Sequence, residues 1–250
     1  MAFDYNTEVI SSTFNTVVHE PLYNGLVFLL SVLPHADVGI AVILLTILVK
    51  LVLFPLARQA ILTQIALRRI NPQLEALKVE FKDDQPEQVR KMLALYKENG
   101  IHPLSGFVTL FVQLPVIFGL YWVFSQGGLP AIDTSLLYSF VQAPAEVSMH
   151  FLNLFDMGGK SLILALLAGA TQFVHAYIAM EPPQTTTKPG ESMKDDIMRS
   201  LHIQARYVFP VLVAVIAYTI SAAVALYWIT SNLFMIFQEV LVRSKVHGTH

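Results

Sequence analysis

Long apolar runs constrain this chain more than any other feature. Residues 38–56, 106–125 and 162–180 each hold 19 or 20 mostly apolar residues, and a membrane-spanning helix needs about 20. Residues 207–242 form a longer apolar run. Composition agrees, because only 14% of the 250 residues are charged, against about a quarter in soluble domains. The sequence therefore predicts an all-α polytopic membrane protein.

The longest run predicts two spans joined by a tight turn rather than one helix. Tyr218, Thr219 and Ser221 put polar groups in its middle, which favours a turn near Ile220–Ala225. Five transmembrane helices follow, and we expect them over residues 38–56, 106–125, 162–180, 207–222 and 224–242.

The N-terminal region, residues 1–37, holds one more apolar segment. Leu22–Leu33 is 12 residues long and is closed by Pro34. Because it is shorter than a span, we predict an amphipathic helix that begins near Thr13 and lies in the membrane interface. A sixth, short span is the alternative.

Basic residues predict the orientation. The segments outside the spans are, in chain order, 1–37, 57–105, 126–161, 181–206 and 243–250. Of the 16 Lys and Arg residues, eight lie in the second segment, four in the fourth and two in the fifth, whereas the first and third hold only Lys160. The positive-inside rule therefore places the N-terminus outside and the C-terminus in the cytoplasm. No signal-peptide or transit-peptide pattern opens the chain, so we expect a multi-pass protein of the bacterial cytoplasmic (inner) membrane.

Residues 57–105 predict a cytoplasmic helical hairpin. The first arm is expected to restart at Asn71-Pro72, because asparagine caps helices and proline suits the first helical position. Asp84 and Glu87 form a capping-box-like start for the second arm. The apolar faces of the two arms are expected to pack together, and they consist of Leu74, Leu77, Phe81, Val89, Met92, Leu93 and Tyr96.

The basic side chains of this hairpin are candidates for contact with a partner. They include Arg68, Arg69, Lys78, Lys82, Arg90 and Lys91. Two interpretations stay open: the charges keep a solvated hairpin soluble, or they form a docking surface for a partner or for lipid headgroups. Of the other loops, the partly apolar 126–160 is expected on the bilayer surface, and the Pro-, Thr- and Gly-rich 181–192 is expected to be flexible.

Lys50 interrupts the first span, with Ile47–Val49 before it and Leu51–Phe54 after it. A charge near the centre of a bilayer costs about 2.5–3.5 kcal/mol on insertion scales, so it is usually kept where it has a function. Asp and Glu are absent from the first four predicted spans, and the fifth holds Glu239 at its inner end. One interpretation is that Lys50 faces a hydrated cavity, and the other is that its stem snorkels to the headgroups.

Polar residues in the other spans favour the hydrated interpretation. Each alone is more often an interhelical hydrogen bond, but together with Lys50 they predict a hydrophilic groove between the helices. The candidate groove residues beside Lys50 are Thr46, Thr109, Gln113, Gln172, His175, Tyr227, Thr230, Ser231 and Asn232.

The motifs of several catalytic classes are absent. The chain has no Walker sequence, no Gly-rich phosphate loop, no HExxH and no GxSxG. It also has no cysteine, and its eight histidines are scattered. We therefore expect no enzyme, no catalytic residue, no cofactor, no metal site and no nucleic-acid specificity.

Several stretches resemble the YidC family of membrane protein insertases, with its mitochondrial and chloroplast relatives. "GIAVILLTILVKLVLFPL" is similar to that family's first core span, and "INPQLEALKVEF" with "MLALYKENGIHPLSGFVTLFVQLPVIFGLY" to its hairpin and second span. "ALYWITSNLFMIFQE" is similar to its last span. The likeness covers the chain from about Pro21 to Arg243.

The resemblance implies five core helices around a hydrophilic groove that opens to the cytoplasm and to lipid but is sealed outside. It also implies a basic residue in the groove, usually arginine, which is Lys50 here. Lysine keeps the charge but lacks the bidentate guanidinium fork. This chain also has Ser221-Ala222-Ala223 where the family has a Pro-Ser-Gly-like turn, and its tail after Leu241 is short.

The resemblance thus implies a membrane protein insertase and chaperone. Such a protein moves short polar or acidic tails of nascent membrane proteins across the bilayer through the groove and releases their helices into lipid. The implied partners are nascent membrane proteins and the lipid bilayer, with the ribosome and a secretion channel as further candidates. A small anion transporter or channel that uses Lys50 as its anion site is the alternative, and the lack of an internal repeat counts against it.

Overall fold

The computed structural model describes residues 13–101, 114–119, 121–124, 129–180 and 193–247. The described part is mostly helical and divides into two compact units. The first unit comprises Met1–Leu51 and Pro115–Phe237, and the second comprises Val52–Leu114 and Gln238–His250. The inner segment 181–192, which we expect to be flexible, lies outside the described residues.

The helices of the first unit coincide with the apolar runs of the sequence, and the helices of both units are numbered in chain order. A π-helical turn, Asn15–His19, leads into α1, and later in the chain a second π-helical turn, Gln204–Val208, joins α6 to α7. The numbered helices of the whole chain are α1 (Glu20–Val32), α2 (Val38–Val52), α3 (Phe54–Glu80), α4 (Gln85–Glu98), α5 (Leu162–Ala179), α6 (Met193–Ile203), α7 (Phe209–Ile220) and α8 (Ala222–His247).

Three helices of the described residues are long and apolar enough to cross a membrane: Leu162–Ala179, Arg199–Ile220 and Ala222–Val246. The pair Val38–Val52 and Phe54–Glu80 makes a fourth when it counts as one broken span. Most of the predicted second span lies outside the described residues, although 114–119 and 121–124 are helical. Length and composition therefore agree with an all-α membrane protein.

The longest apolar run is divided at Ser221. α7 ends at Ile220, Ser221 is extended with φ −162° and ψ 162°, and α8 begins at Ala222. This break falls within the region where the sequence predicts a turn. α8 then continues to His247, beyond the predicted inner end of the last span.

The N-terminal helix α1 is built into the core of the first unit. Tyr23, Leu26, Val27 and Leu30 are each exposed by 1% or less, whereas Phe28 on the opposite face is 46% exposed. A half-apolar helix buries one face against its neighbours and leaves the other to solvent or lipid. Whether that free face lies in the interface or deeper in the bilayer stays a prediction.

Side chains of α1 also bind the segment 126–161. We call this segment the outer loop, because the sequence predicts it on the outside of the membrane. The Tyr23 hydroxyl accepts a hydrogen bond from the Asp133 amide at 2.8 Å. The Asn24 side chain donates to the Leu136 carbonyl at 2.8 Å and accepts from the Tyr138 amide at 2.7 Å. Because Asn24 is only 2% exposed, these bonds satisfy a buried amide and fix the loop against α1.

The outer loop adds an element that the all-α prediction lacks. Strands β1 (His150–Phe151) and β2 (Phe155–Asp156) form a short antiparallel hairpin. Its turn places Leu152 and Asn153 at positive φ, and the Leu152 amide donates to Asp37 Oδ2 at 3.0 Å. Leu152 and Leu154 are exposed, whereas Met157 is fully buried, so the loop presents apolar side chains both outward and into the core.

The second unit contains the helical hairpin α3–α4. Asp84 caps α4, because its carboxylate accepts from the Glu87 amide at 3.1 Å, which confirms the predicted start. The helix ends in a Schellman motif: Gly100 has φ 62°, and the Ile101 amide donates to the Tyr96 carbonyl at 2.8 Å.

The predicted restart at Asn71-Pro72 is wrong. α3 runs without interruption from Phe54 to Glu80 and contains Pro72 in its interior. Ile70 and Leu74, two residues before and after the proline, are buried against α4, and this packing offsets the cost of a proline in a helix. The helix boundary lies instead at Leu53, directly before Phe54-Pro55, where proline occupies an early helical position.

The predicted apolar face of α4 is partly wrong. Met92 and Tyr96 pack on the Ile70 and Leu74 core as predicted, but Leu95 joins them. Val89 and Leu93 are 53% and 57% exposed. The packed face is therefore rotated from the predicted one, and Ile101, just after α4, belongs to the same cluster.

Candidate functional site

The outer loop contacts the starts of three helices of the first unit. The Val38 amide of α2 donates to the Ser148 carbonyl at 3.0 Å, and the Ala222 amide of α8 donates to the Gly159 carbonyl at 2.8 Å. Ser161, at the end of the same loop, caps α5 through the Leu164 amide. These contacts satisfy amides that a helix start leaves without partners. They also bring the first residues of α2, α5 and α8 to a similar height. Distances along each helix can therefore be measured from this common starting level.

Measured from that level, the candidate groove residues form a layer inside the unit. At 1.5 Å of rise per residue, Lys50 lies about 18 Å along α2, and Gln172 and Asn232 lie about 15 Å along α5 and α8. His175 lies about 20 Å along α5 by the same measure. A bilayer core is about 30 Å thick, so about half of that thickness separates this polar layer from the helix starts. The sequence positions alone would not show this agreement, because it depends on the shared starting level.

Lys50 lies within electrostatic range of the His175 imidazole, and both side chains are half-buried. Lys50 lies on the last turn of α2, in the first unit. The acidic residue of α8, Glu239, belongs to the second unit, where it forms an ion pair with Arg243 at 2.7 Å. Lys50 therefore brings a positive charge to the layer.

Two buried polar atoms of α8 lack hydrogen-bond partners among the described residues. They are the Ser231 hydroxyl oxygen and Asn232 Oδ1, on side chains with no exposed surface. The Asn232 amide nitrogen does have partners, since it donates to the Thr171 hydroxyl at 3.2 Å and to the Ala168 carbonyl at 3.4 Å. Buried polar atoms are normally hydrogen-bonded, so the layer holds hydrogen-bonding capacity beyond what helix packing uses.

The remaining predicted groove residues differ in their environments. Thr46 is buried, and its hydroxyl donates to the Val42 carbonyl at 2.6 Å. Thr230 likewise bonds its own helix, donating to Leu226 at 2.9 Å. Gln172 and Tyr227 are buried at 8% and 2% exposure. Thr109 and Gln113 lie outside the described residues.

The predicted partner-contact residues lie on the hairpin of the second unit. Lys78 pairs with Glu75 at 2.5 Å, and Arg90 pairs with Glu87 at 2.8 Å, both one turn apart on exposed helix faces. Lys91 lies 3.9 Å from the same Glu87 carboxylate. Exposed pairs of this kind contribute about 0–1 kcal/mol, so they leave the cations accessible. Arg69 and Lys82 are exposed, and Arg68 is half-buried.

Metal binding has no support in the described residues, where no three His, Asp or Glu side chains cluster. The site thus consists of a cation, an imidazole and hydroxyl or amide groups. Such groups attract negative charge and offer hydrogen bonds, and they need no bound ion to do so.

A family model described as 60Kd inner membrane protein matches residues 29–249. The chain belongs to the 60Kd inner membrane protein family. A protein of Oceanobacillus iheyensis named "Membrane protein insertase YidC" is 30% identical over 213 residues, which are 83% of this chain and 75% of that protein. Proteins of the same name from Francisella tularensis, including subspecies novicida, are 28% identical over 212 residues, which are 85% of this chain and 33% of theirs.

Membership of this family confirms the resemblance to the YidC insertases. It also confirms that the chain is not an enzyme, since the insertases of the 60Kd inner membrane protein family are not enzymes. The chain spans about three quarters of the Oceanobacillus relative but only a third of the Francisella relatives. The roles of the individual groove and hairpin residues stay predictions.

The sequence prediction missed three residues that the structure connects to the site. Thr171 bonds Asn232, and Asp37 accepts from both the Ile40 and Leu152 amides. Asn24 fixes the outer loop. Thr171 directly precedes Gln172, so a search for polar neighbours on α5 would have found it. Asp37 and Asn24 act through contacts distant in sequence, which no local pattern shows.

Proposed function

We propose that the polar layer around Lys50 is the working site of a membrane protein insertase. The relatives indicate a membrane protein insertase, with nascent membrane proteins as substrates and the bilayer as their destination. The observation that supports the proposal is Lys50 within electrostatic range of His175, in a polar layer that also holds two buried oxygens without partners among the described residues.

The first step is attraction of the substrate's tail. A charge acts more strongly in a medium of low effective dielectric, where two unit charges 4 Å apart interact by about 4 kcal/mol at an effective dielectric of 20. Lys50 therefore draws an acidic or polar tail from the cytoplasm into the layer. Ser231 and Asn232 supply hydrogen bonds to the tail's backbone or to water beside it.

The second step is transfer of the tail and release of the helix. Unsatisfied backbone groups cost several kcal/mol each in hydrocarbon, and a hydrated groove shortens the dry path over which that cost applies. In this proposal the outer loop seals the far end and the groove opens toward the cytoplasm, which the loop's hydrogen bonds with Val38, Ala222 and Ala223 support. The apolar segment of the substrate then partitions into lipid, and no nucleotide is consumed.

The test is insertion of a single-span protein with an acidic tail into proteoliposomes that hold the full chain. We expect Lys50→Arg to insert at the wild-type rate and Lys50→Leu to insert about tenfold more slowly, because it removes the attraction. Lys160→Gln is the matched control, because it removes a lysine from the outer loop, where Lys160 lies 5.9 Å from the Tyr218 ring centre.

Equal insertion by wild type and Lys50→Leu contradicts the role of the charge. A substrate with a neutral tail separates the two parts of the proposal, since its insertion should depend on Lys50 much less. Chloride or phosphate flux that requires Lys50, without any insertion, would favour the anion-transport alternative instead.

A further inference from the structure

The second unit holds a cavity that the insertion mechanism does not use. Its volume is about 390 Å³, and it lies between residues 54–69 of α3 and the last turns of α8. Arg58, Arg69 and Lys245 contribute positive charge to its wall, and Leu62, Leu241 and Val246 contribute apolar surface. The cavity is therefore amphiphilic, with basic and apolar groups within one small space.

Helical spacing explains why these side chains converge. Arg58, Leu62 and Arg69 are separated by four and seven residues, so they lie along one face of α3. Leu241 and Lys245 are four residues apart on α8 and also share a face. The Gln238 side chain donates to the Phe54 carbonyl at 3.2 Å, and this bond fixes the start of α3 against α8. The wall is thus held by regular helices and a buried hydrogen bond.

The sequence predicts that the last span ends at residue 242, so we expect the cavity at the level of the lipid headgroups. α8 begins at Ala222, and 20 residues of helix cover about 30 Å, the thickness of the hydrocarbon core. Val242 is therefore near the edge of the apolar zone, and Lys245 and Val246 lie just beyond it. Phosphate groups of the membrane lipids occupy this level on either side of a bilayer.

The two arginines of the cavity have no acidic partner within the described part of the chain. Arg58 and Arg69 are exposed and form no ion pair there. Glu239 is the acidic residue of α8, and its carboxylate accepts from Arg243 at 2.7 Å. The cavity therefore keeps a positive field, and Arg58 and Arg69 keep guanidinium donors that suit phosphate oxygens.

We propose that this cavity binds the headgroup of one anionic phospholipid. The phosphate lies between Arg58 and Arg69 with Lys245 beside it, and the upper part of an acyl chain contacts Leu62 and Leu241. An anionic lipid matches both halves of the wall, whereas inorganic phosphate would leave the apolar half unused. Basic pockets between helices on the cytoplasmic side are known to suit anionic headgroups.

The experiment is titration of the purified full chain in detergent with phosphatidylglycerol, with the number of bound lipids measured by native mass spectrometry. Phosphatidylcholine is the neutral comparison. We expect one phosphatidylglycerol to bind at least about tenfold more tightly than phosphatidylcholine, since two or more basic groups contribute. The double variant Arg58→Gln/Arg69→Gln should lose that preference, and Arg58→Lys/Arg69→Lys should keep most of it.

The matched control is Lys97→Gln/Lys160→Gln, which removes one charge from α4 and one from the outer loop and should bind phosphatidylglycerol like the wild type. Equal weakening in the control would mean general attraction to basic side chains and would overturn the proposal. Displacement of the lipid by inorganic phosphate at similar concentration would identify free phosphate as the ligand and would also overturn it. Leu62→Asn, which keeps every charge, should weaken lipid binding but not phosphate binding. These readouts do not depend on insertion, so failure here leaves the Lys50 account untouched.

Discussion

At the scale of the residue, Lys50 was predictable and its environment was only partly so. A lysine inside an apolar run is visible in sequence, and so are the amide and hydroxyl residues of the other helices. The unsatisfied oxygens of Ser231 and Asn232 were not predictable, because they depend on which side chains of α5 reach α8. The sequence shows which polar groups the helices carry, and helix packing determines which of those groups are left without a hydrogen-bond partner.

Replacement of Asn232 by leucine should separate function from stability. The change removes a buried oxygen that has no partner among the described residues, which costs about 1–3 kcal/mol, and it also removes the long amide hydrogen bonds to Thr171 (3.2 Å) and Ala168 (3.4 Å). Because these two effects oppose each other, we expect Asn232→Leu to melt in detergent close to the wild-type temperature and yet to insert an acidic-tailed substrate more slowly. Thr219→Val, on an exposed part of α7, is the control. A large fall in melting temperature for Asn232→Leu would mean that the amide is structural.

At the scale of the element, the capping residues predicted the bounds of α4 correctly. Pro72, by contrast, predicted a helix boundary that α3 does not have. Asp84 and Gly100 act locally, so their effect can be deduced from a few residues. Pro72 is tolerated because Ile70 and Leu74 pack on α4, which is a tertiary contact. The pairing of α5 with α7 was likewise invisible in sequence, although it depends on a single small residue.

That residue is Gly169. A Cβ at this position would lie 2.9 Å from the Ala214 Cβ and 3.0 Å from the Pro210 carbonyl oxygen, closer than side chains normally approach. Small residues let membrane helices pack closely, so we expect Gly169→Ala to lower the melting temperature and Gly169→Leu to lower it further. Ala170→Leu, on the exposed face of the same helix, should change it little. Equal effects at the two positions would contradict close packing between α5 and α7.

At the scale of the whole molecule, the family and the mostly helical, membrane-spanning character could be predicted from the sequence. The structure of the outer loop could not. The loop's contacts join residues far apart in the chain, such as Asp37 with Leu152 and Gly159 with Ala222. In the proposed mechanism these contacts close the outer end of the groove. They depend on local backbone geometry, which composition does not reveal.

Accessibility of single cysteines tests that closure. The chain has no cysteine, so one introduced thiol gives a signal without background. In oriented vesicles, a membrane-impermeant maleimide should label Thr230→Cys from the cytoplasmic side only, and Leu152→Cys in the exposed loop from the outside only. Asp37→Ala should admit outside labelling at position 230, because it removes the carboxylate that holds the Leu152 amide. Labelling of position 230 from the outside in the otherwise unchanged chain would contradict a closed outer end.

The central claim is that the tail of a substrate passes beside Lys50, and site-specific photo-crosslinking tests it most directly. A photoreactive residue replaces His175, next to Lys50, or Val174, which is 45% exposed on another face of α5. A ribosome-bound nascent chain with an acidic tail is then irradiated during insertion. We predict that the tail crosslinks from position 175, that Lys50→Leu abolishes this crosslink, and that position 174 crosslinks only the apolar segment or lipid. Tail crosslinks that are equally strong at both positions, or that persist in Lys50→Leu, would contradict the account.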